Sequence, residues 1–171
     1  VREIVVMQQL SENLFCFQDT CNVYVLRRGT DAVLVDFGAG DVLDALPQIG
    51  VERVTDVLMT HHHRDQAQGL HRAVEVGASI WVPGAEMELF IGVEDHWQTR
   101  PLRNNYNVRE DRFTIRESVP VTGTLPEYRT TWYGGRPFTV VPLPGHTVGS
   151  VGFLTDVDGR RVAFTGDLLA G

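Results

Sequence analysis

The residues best placed to do chemistry are those of Thr60-His61-His62-His63-Arg64-Asp65-Gln66, which follow a short apolar run over residues 54–59. Imidazoles at His61 and His63 and a carboxylate at Asp65 recur every second residue. In extended backbone successive side chains point to opposite faces, so these three lean the same way, about 3.3 Å of rise per residue apart. Two neutral imidazoles and one carboxylate at a strand end suit zinc or a similar divalent ion. A histidine-rich turn is the bland alternative, and a purification tag would sit at a terminus. Three adjacent histidines in mid-chain after an apolar strand favour the metal.

Two later segments carry matching groups. Pro142-Leu143-Pro144-Gly145-His146-Thr147 puts a histidine after a Pro- and Gly-defined turn, and Phe164-Thr165-Gly166-Asp167 puts a carboxylate after a hairpin. Alone, each reads as a turn or capping residue. Together with the first cluster, His61, His63, His146 and Asp167 all fall at ends of predicted strands, where a sheet edge gathers them. The only cysteines, Cys16 and Cys21, read as reduced, buried thiols, too few for a disulfide framework or a thiolate metal site. His62 and Arg64 alternate away from the ligand side, and His71 and His96 read as surface or helix residues.

The elements that must position these groups are short. Residues 4–10, 14–17, 21–27 and 32–37 are rich in Val, Ile, Leu and Phe and are separated by turn formers, which predicts four strands in antiparallel hairpins. Asp36 ends the fourth, and Gly38-Ala39-Gly40 turns the chain into a helix over 41–46 that Pro47 discourages from continuing. A strand over 54–60, a helix over 67–76, a strand over 80–82 and a helix over 85–91 give a β-α-β run, hence a mixed sheet with helices on one face. Periodicity fails over 92–127, a length that marks a site-lining lid or an irregular surface insertion. Hairpins return over 128–143, about Gly134-Gly135, and over 151–165, about Val157-Asp158-Gly159. A single domain over residues 1–171 is expected.

Composition narrows the function classes. The chain has 171 residues, is 43% hydrophobic and 22% charged, and carries a formal net charge of -7. That balance disfavours nucleic acid as the main partner, because such binders present a basic face. No apolar run approaches the roughly 18 residues that span a bilayer, and the N-terminal residues lack a signal-peptide pattern. A cytoplasmic protein acting on a small-molecule substrate is expected.

In four separated motifs the chain resembles the metallo-β-lactamase superfamily: Asp36 in Val-Asp-Phe-Gly, His61-x-His63-x-Asp65, Gly145-His146-Thr147 with Gly149-Ser150, and Gly166-Asp167. The resemblance implies an α/β (α+β) fold, a four-layer αββα sandwich with metals at one edge of its two sheets. It implies that His61, His63 and His146 hold the first metal, that Asp65 ligates a second and that Asp167 bridges the two. Asp36 corresponds to a supporting carboxylate that is not a ligand, consistent with the need to orient metal-bound imidazoles. Two departures stand out. Gln66 replaces a second-metal histidine, and a further histidine well beyond Asp167 has no counterpart before Gly171, nor do the strands and helix expected to cover the second sheet. The resemblance thus implies a fold whose C-terminal part is missing, completed by the rest of a longer chain or another domain, and a weak or empty second metal site.

A metal held by three imidazoles with an open position lowers the pKa of bound water toward about 7. The expected activity is metal-dependent hydrolysis of an ester, thioester, lactone or phosphoester, with Asp65 or Asp167 as the catalytic carboxylate that orients water and accepts its proton. Zinc is the expected metal, with iron or manganese as alternatives. Two competitors remain: a mononuclear iron sulfur dioxygenase using His61, His146 and Asp167, and a non-catalytic binding protein that keeps the fold. An antibiotic-degrading role is disfavoured, because two-zinc β-lactamases often have cysteine where this chain has Asp167.

Overall fold

The structure, a computed structural model, describes residues 7–99 and 113–169. Strands β1 (Gln8–Gln9), β2 (Leu14–Gln18), β3 (Asn22–Arg28) and β4 (Asp31–Val35) pair antiparallel in chain order, as the close spacing of turn formers predicts. Helix α1 (Val42–Ala45) runs directly into a 3-10 turn, Leu46–Ile49, that contains Pro47 near its start, where the missing N–H costs nothing. Gly50, at φ +72, ends that turn. Strand β5 (Arg53–Leu58) then adds parallel to β4.

The helix expected over 67–76 is two: α2 (Arg64–Ala67) and α3 (Leu70–Glu75). The break falls at Gly69, where a Cβ would lie 2.2 Å from the Ala39 backbone. Strand β6 (Ser79–Pro83), a 3-10 turn (Gly84–Glu86) and helix α4 (Glu88–Ile91) follow. The stretch predicted to be irregular holds helix α5 (Val93–Thr99) and strand β7 (Gly123–Leu125), which extends the sheet parallel to β6. Arg100, Arg103, Tyr106, Arg109 and Arg112, part of the expected lid, lie outside the described residues. Among the described residues the N-terminal strand covers Gln8–Gln9, and residues 4–6 of its predicted range lie outside them.

Strands β8 (Thr130–Tyr133), β9 (Arg136–Pro142), β10 (Val151–Val157) and β11 (Arg160–Phe164) form a second, antiparallel sheet in the order β11-β10-β9-β8. Both predicted hairpins are present. The first sheet is buried on both faces, and its alternation sorts side chains between two cores. Ala32 and Leu34 face helices with Val42, Leu70 and Phe90, whereas Val33 and Val35 face the second sheet with Phe138, Phe153 and Phe164. The result is a helix layer on one sheet and a second sheet on its other side, the αββ part of the expected sandwich.

Candidate metal centre

The site forms where β4, β5, β9 and β11 end. Met59 N–H still donates to the Trp81 carbonyl (2.9 Å), and Val151 N–H donates to the Thr60 carbonyl (2.9 Å), so the two sheets meet at Thr60. The chain then leaves β5 through His61 and His62 to His63, the N-cap of α2. His146 sits in the turn between β9 and β10, and Asp167 in a 3-10 turn (Gly166–Leu169) after β11. Gly166, at φ +53, places its Cα hydrogens against the Thr60 hydroxyl, where a Cβ would meet it at 2.9 Å. Only glycine lets Asp167 approach this closely.

One ring nitrogen from each of His61, His63 and His146 lies within 4.8 Å of the others. The rings meet edge to face, with centroids 4.6–4.9 Å apart. Asp167 Oδ2 lies 3.4 Å from His146 Nε2 and 3.8 Å from His61 Nε2. These four sequence-predicted residues therefore converge. Asp65 arrives differently from the expected extended alternation, since α2 begins at Arg64 and a helical turn carries it. It lines an adjoining cavity of about 220 Å³ with Asp36, Gln66 and Asp167.

The residues present fit a cation. His61 is 1% exposed, and its Nε2 has no hydrogen-bond partner, which is costly for a buried polar atom. Its other nitrogen is fixed: Nδ1–H donates to the Thr60 hydroxyl (2.9 Å), and that hydroxyl donates to Asp36 (2.9 and 3.0 Å). The unprotonated Nε2 is thereby aimed at the cluster. His63 Nδ1 and His146 Nε2 lie 2.9 Å apart, one hydrogen shared between two nitrogens, and a shared cation would satisfy both lone pairs. Burial, then the neighbouring imidazoles, pushes His61 down to about 3 and His63 down to about 4, so both rings are neutral at pH 7, as a ligand must be.

Acidic groups respond in the opposite sense. Burial raises Asp36 to about 7 against the hydrogen bonds from Thr60, with the charges of Asp167 and Asp65 adding to the rise. Burial and the nearby Asp167 also raise Asp65. Asp36 takes a left-handed conformation, φ +58, which Asp tolerates better than most residues and which turns its carboxylate back under Thr60. Its N–H donates to the Leu58 carbonyl (3.0 Å). Asp36 thus reaches the His61 ring through the Thr60 hydroxyl.

Gln66 is buried, and its amide N–H₂ donates to both Asp167 oxygens (3.2 and 3.4 Å), while its Oε1 has no partner. Glu86 was missed by sequence reasoning. It is 3% exposed and accepts hydrogen bonds from His62 and Gly149. Burial pushes its carboxyl up, but hydrogen bonds from His62, Thr147 and Gly149 outweigh this and hold it at about 2. No motif marks it; the one signal is an acid following the Pro83-Gly84 turn opposite the histidine strand. His62 does point away from the three-ring cluster, toward Glu86.

The sequence pattern of the metallo-beta-lactamase superfamily matches residues 17–171. The chain belongs to this superfamily. Among curated relatives, it is 30% identical over 138 residues to a hydroxyacylglutathione hydrolase of Pseudomonas syringae, covering 80% of this chain and 42% of the relative. A hydroxyacylglutathione hydrolase of Shewanella is 24% identical over 154 residues, covering 86% of this chain and 47% of the relative. The chain thus spans less than half the length of these two relatives. In fold, it is similar to the FEZ-1 metallo-beta-lactamase of Legionella gormanii, with TM-score 0.73, 15% identity, and coverage of 92% of this chain and 61% of the other. A Cronobacter sakazakii metallo-beta-lactamase described by a HARLDQ motif gives TM-score 0.72 at 17% identity, covering 93% and 63%. That motif ends in the same Asp-Gln pair as Asp65-Gln66. The fold expectation is met by this superfamily's neighbours, and no helix among the described residues is long and apolar enough to cross a membrane.

Proposed function

We propose that this chain carries a one-metal hydrolytic centre in which His61, His63 and His146 hold a zinc ion and Asp167 stands beside it. The observation that carries this reading is the buried Nε2 of His61, left without a partner at the meeting point of three imidazoles. A divalent ion bound there acidifies water and polarises a carbonyl or phosphoryl oxygen. Asp167 lies at the edge of the cluster, where it can accept a proton and hold a water by hydrogen bonding. Asp65, one side of the adjoining cavity, is the second proton acceptor. Gln66 donates to both oxygens of Asp167, which fixes the carboxylate and uses lone pairs that a second ion would need. A glutamine amide is also a poorer zinc ligand than imidazole. The second site is accordingly weak.

The substrate is proposed to be a small-molecule ester or thioester. Similarity to proteins named hydroxyacylglutathione hydrolases favours the thioester. A second reading has one specific support. His61, His146 and Asp167 form a two-histidine, one-carboxylate set, with Asp167 Oδ2 within 3.8 Å of both Nε2 atoms, and such sets suit mononuclear iron and dioxygen chemistry.

Elemental analysis of the full-length protein, purified without added metal, separates these readings. About one zinc per chain with thioester hydrolysis supports the first, whereas iron with oxygen uptake on a persulfide supports the second. His146→Ala should abolish retention of the ion, and Gln66→His should raise the metal content toward about two per chain. Protein that holds no metal and is unchanged by His61→Ala would refute both.

A further inference from the structure

Glu86 lies outside the ligand set, yet it touches both loops that deliver it. It ends the 3-10 turn after β6, and its two carboxylate oxygens divide their work. Oε2 accepts from the His62 backbone N–H (2.8 Å) and from His62 Nδ1–H (2.9 Å). Oε1 accepts from the Gly149 backbone N–H (2.9 Å). His62 lies between the ligands His61 and His63, and Gly149 lies three residues beyond His146. A side chain at position 149 would collide with this bridge, since a Cβ there falls 2.5 Å from Glu86 Cγ.

We propose that Glu86 is a positioning residue for the metal centre, a buried carboxylate that locks the His61–His63 segment to the His146 turn and so sets the distance between their imidazoles. The two loops come from different sheets. Besides the direct contact of His63 Nδ1 with His146 Nε2 (2.9 Å), these loops are joined at this edge by the hydrogen bond from Val151 N–H to the Thr60 carbonyl, which precedes the histidines on one side and follows them on the other. Glu86 adds to that ring contact a bridge between the two backbones, from His62 N–H to Gly149 N–H. Carboxylates that orient ligand segments act on metal affinity more than on overall stability. The inference rests on the metal reading above, but it can fail independently of it.

The test is zinc affinity of the full-length protein, measured by competition with a chromophoric chelator, together with the visible spectrum of the cobalt-substituted form. Glu86→Gln keeps the shape and removes one strong acceptor; it should weaken zinc binding about 10- to 100-fold and shift the cobalt bands. Asp158→Asn serves as the comparison. Asp158 also joins distant segments, accepting from Ser11 and Asn13, but far from the histidines. It should lower stability and leave zinc affinity within about twofold of wild type. If Glu86→Gln does not fold, Gly149→Ala carries the test, because its Cβ displaces the same carboxylate; several-fold weaker zinc binding is expected. Zinc affinity unchanged in Glu86→Gln, or in Gly149→Ala where that variant carries the test, overturns the proposal. So does an equal loss of affinity in Asp158→Asn. A wild-type protein that takes up no metal overturns the reading on which it stands.

Discussion

The Thr60 hydroxyl stands between Asp36 and His61, so a charge at one end is felt at the other. This has a measurable pH signature in the chelator-treated protein. Asp36 in the fold, at about 7, lies above the ordinary carboxyl value of about 3.9. Its contribution is therefore present below that ordinary value and is lost as pH rises through 7. His61 and His63, at about 3 and about 4, lie below the ordinary 6.5, so theirs is present above 6.5 and is lost as pH falls through 4 and 3. Asp36→Asn deletes the first effect and leaves the second. Asn also tolerates the left-handed backbone. The stability of wild type relative to this variant, from denaturant titrations, should fall steadily between pH 4 and 7. A flat difference would mean that Asp36 titrates as an ordinary carboxyl.

At the scale of elements, glycine placement decides how closely segments approach. Gly69 separates α2 from α3 and donates to the Gly38 carbonyl (2.9 Å), which presses the start of α3 against the loop that follows Asp36. Its φ of -92 suits any residue, so the restriction is one of space. Gly69→Ala should destabilise the protein by about 1–3 kcal/mol, read from the denaturation midpoint, because the Cβ meets rigid backbone. Elements of this kind were unevenly legible in the sequence. Hairpins β8–β9 and β10–β11 announced themselves through glycine turns flanked by alternating residues, and His61, His63 and His146 through ligand types at strand ends. Strand β7 has three residues, too few to show alternation, and is specified by its neighbour β6. Helix α5 did carry a signal, Val93 and Trp97 one turn apart behind Glu94 and Asp95, which the surrounding arginines and aromatics obscured. Glu86 was illegible because its partners, the backbone N–H groups of His62 and Gly149 and the side chains of His62 and Thr147, are brought together by the fold alone.

For the whole molecule, the three imidazoles belong to two sheets. His61 and His63 follow β5 of the first, whereas His146 lies between β9 and β10 of the second. A bound ion would therefore link the sheets across the core of Phe138, Phe153 and Phe164 and stabilise the native state by mass action. Zinc at 100 times its dissociation constant should raise the unfolding free energy of chelator-treated protein by about 2.7 kcal/mol. His146→Ala should lose that increment while keeping the metal-free stability close to wild type. A zinc-induced gain that survives in His146→Ala would place the ion elsewhere.

The separation of His63 and His146 along the chain, 83 residues, also bears on synthesis. At the usual pace of translation the third imidazole leaves the ribosome on the order of ten seconds after the first two. During that interval the nascent protein displays a histidine pair that can take up an ion only weakly and without selection. Tight capture must wait until the strands that flank His146 have docked, so the geometry that selects the metal forms well after the histidine pair has been made.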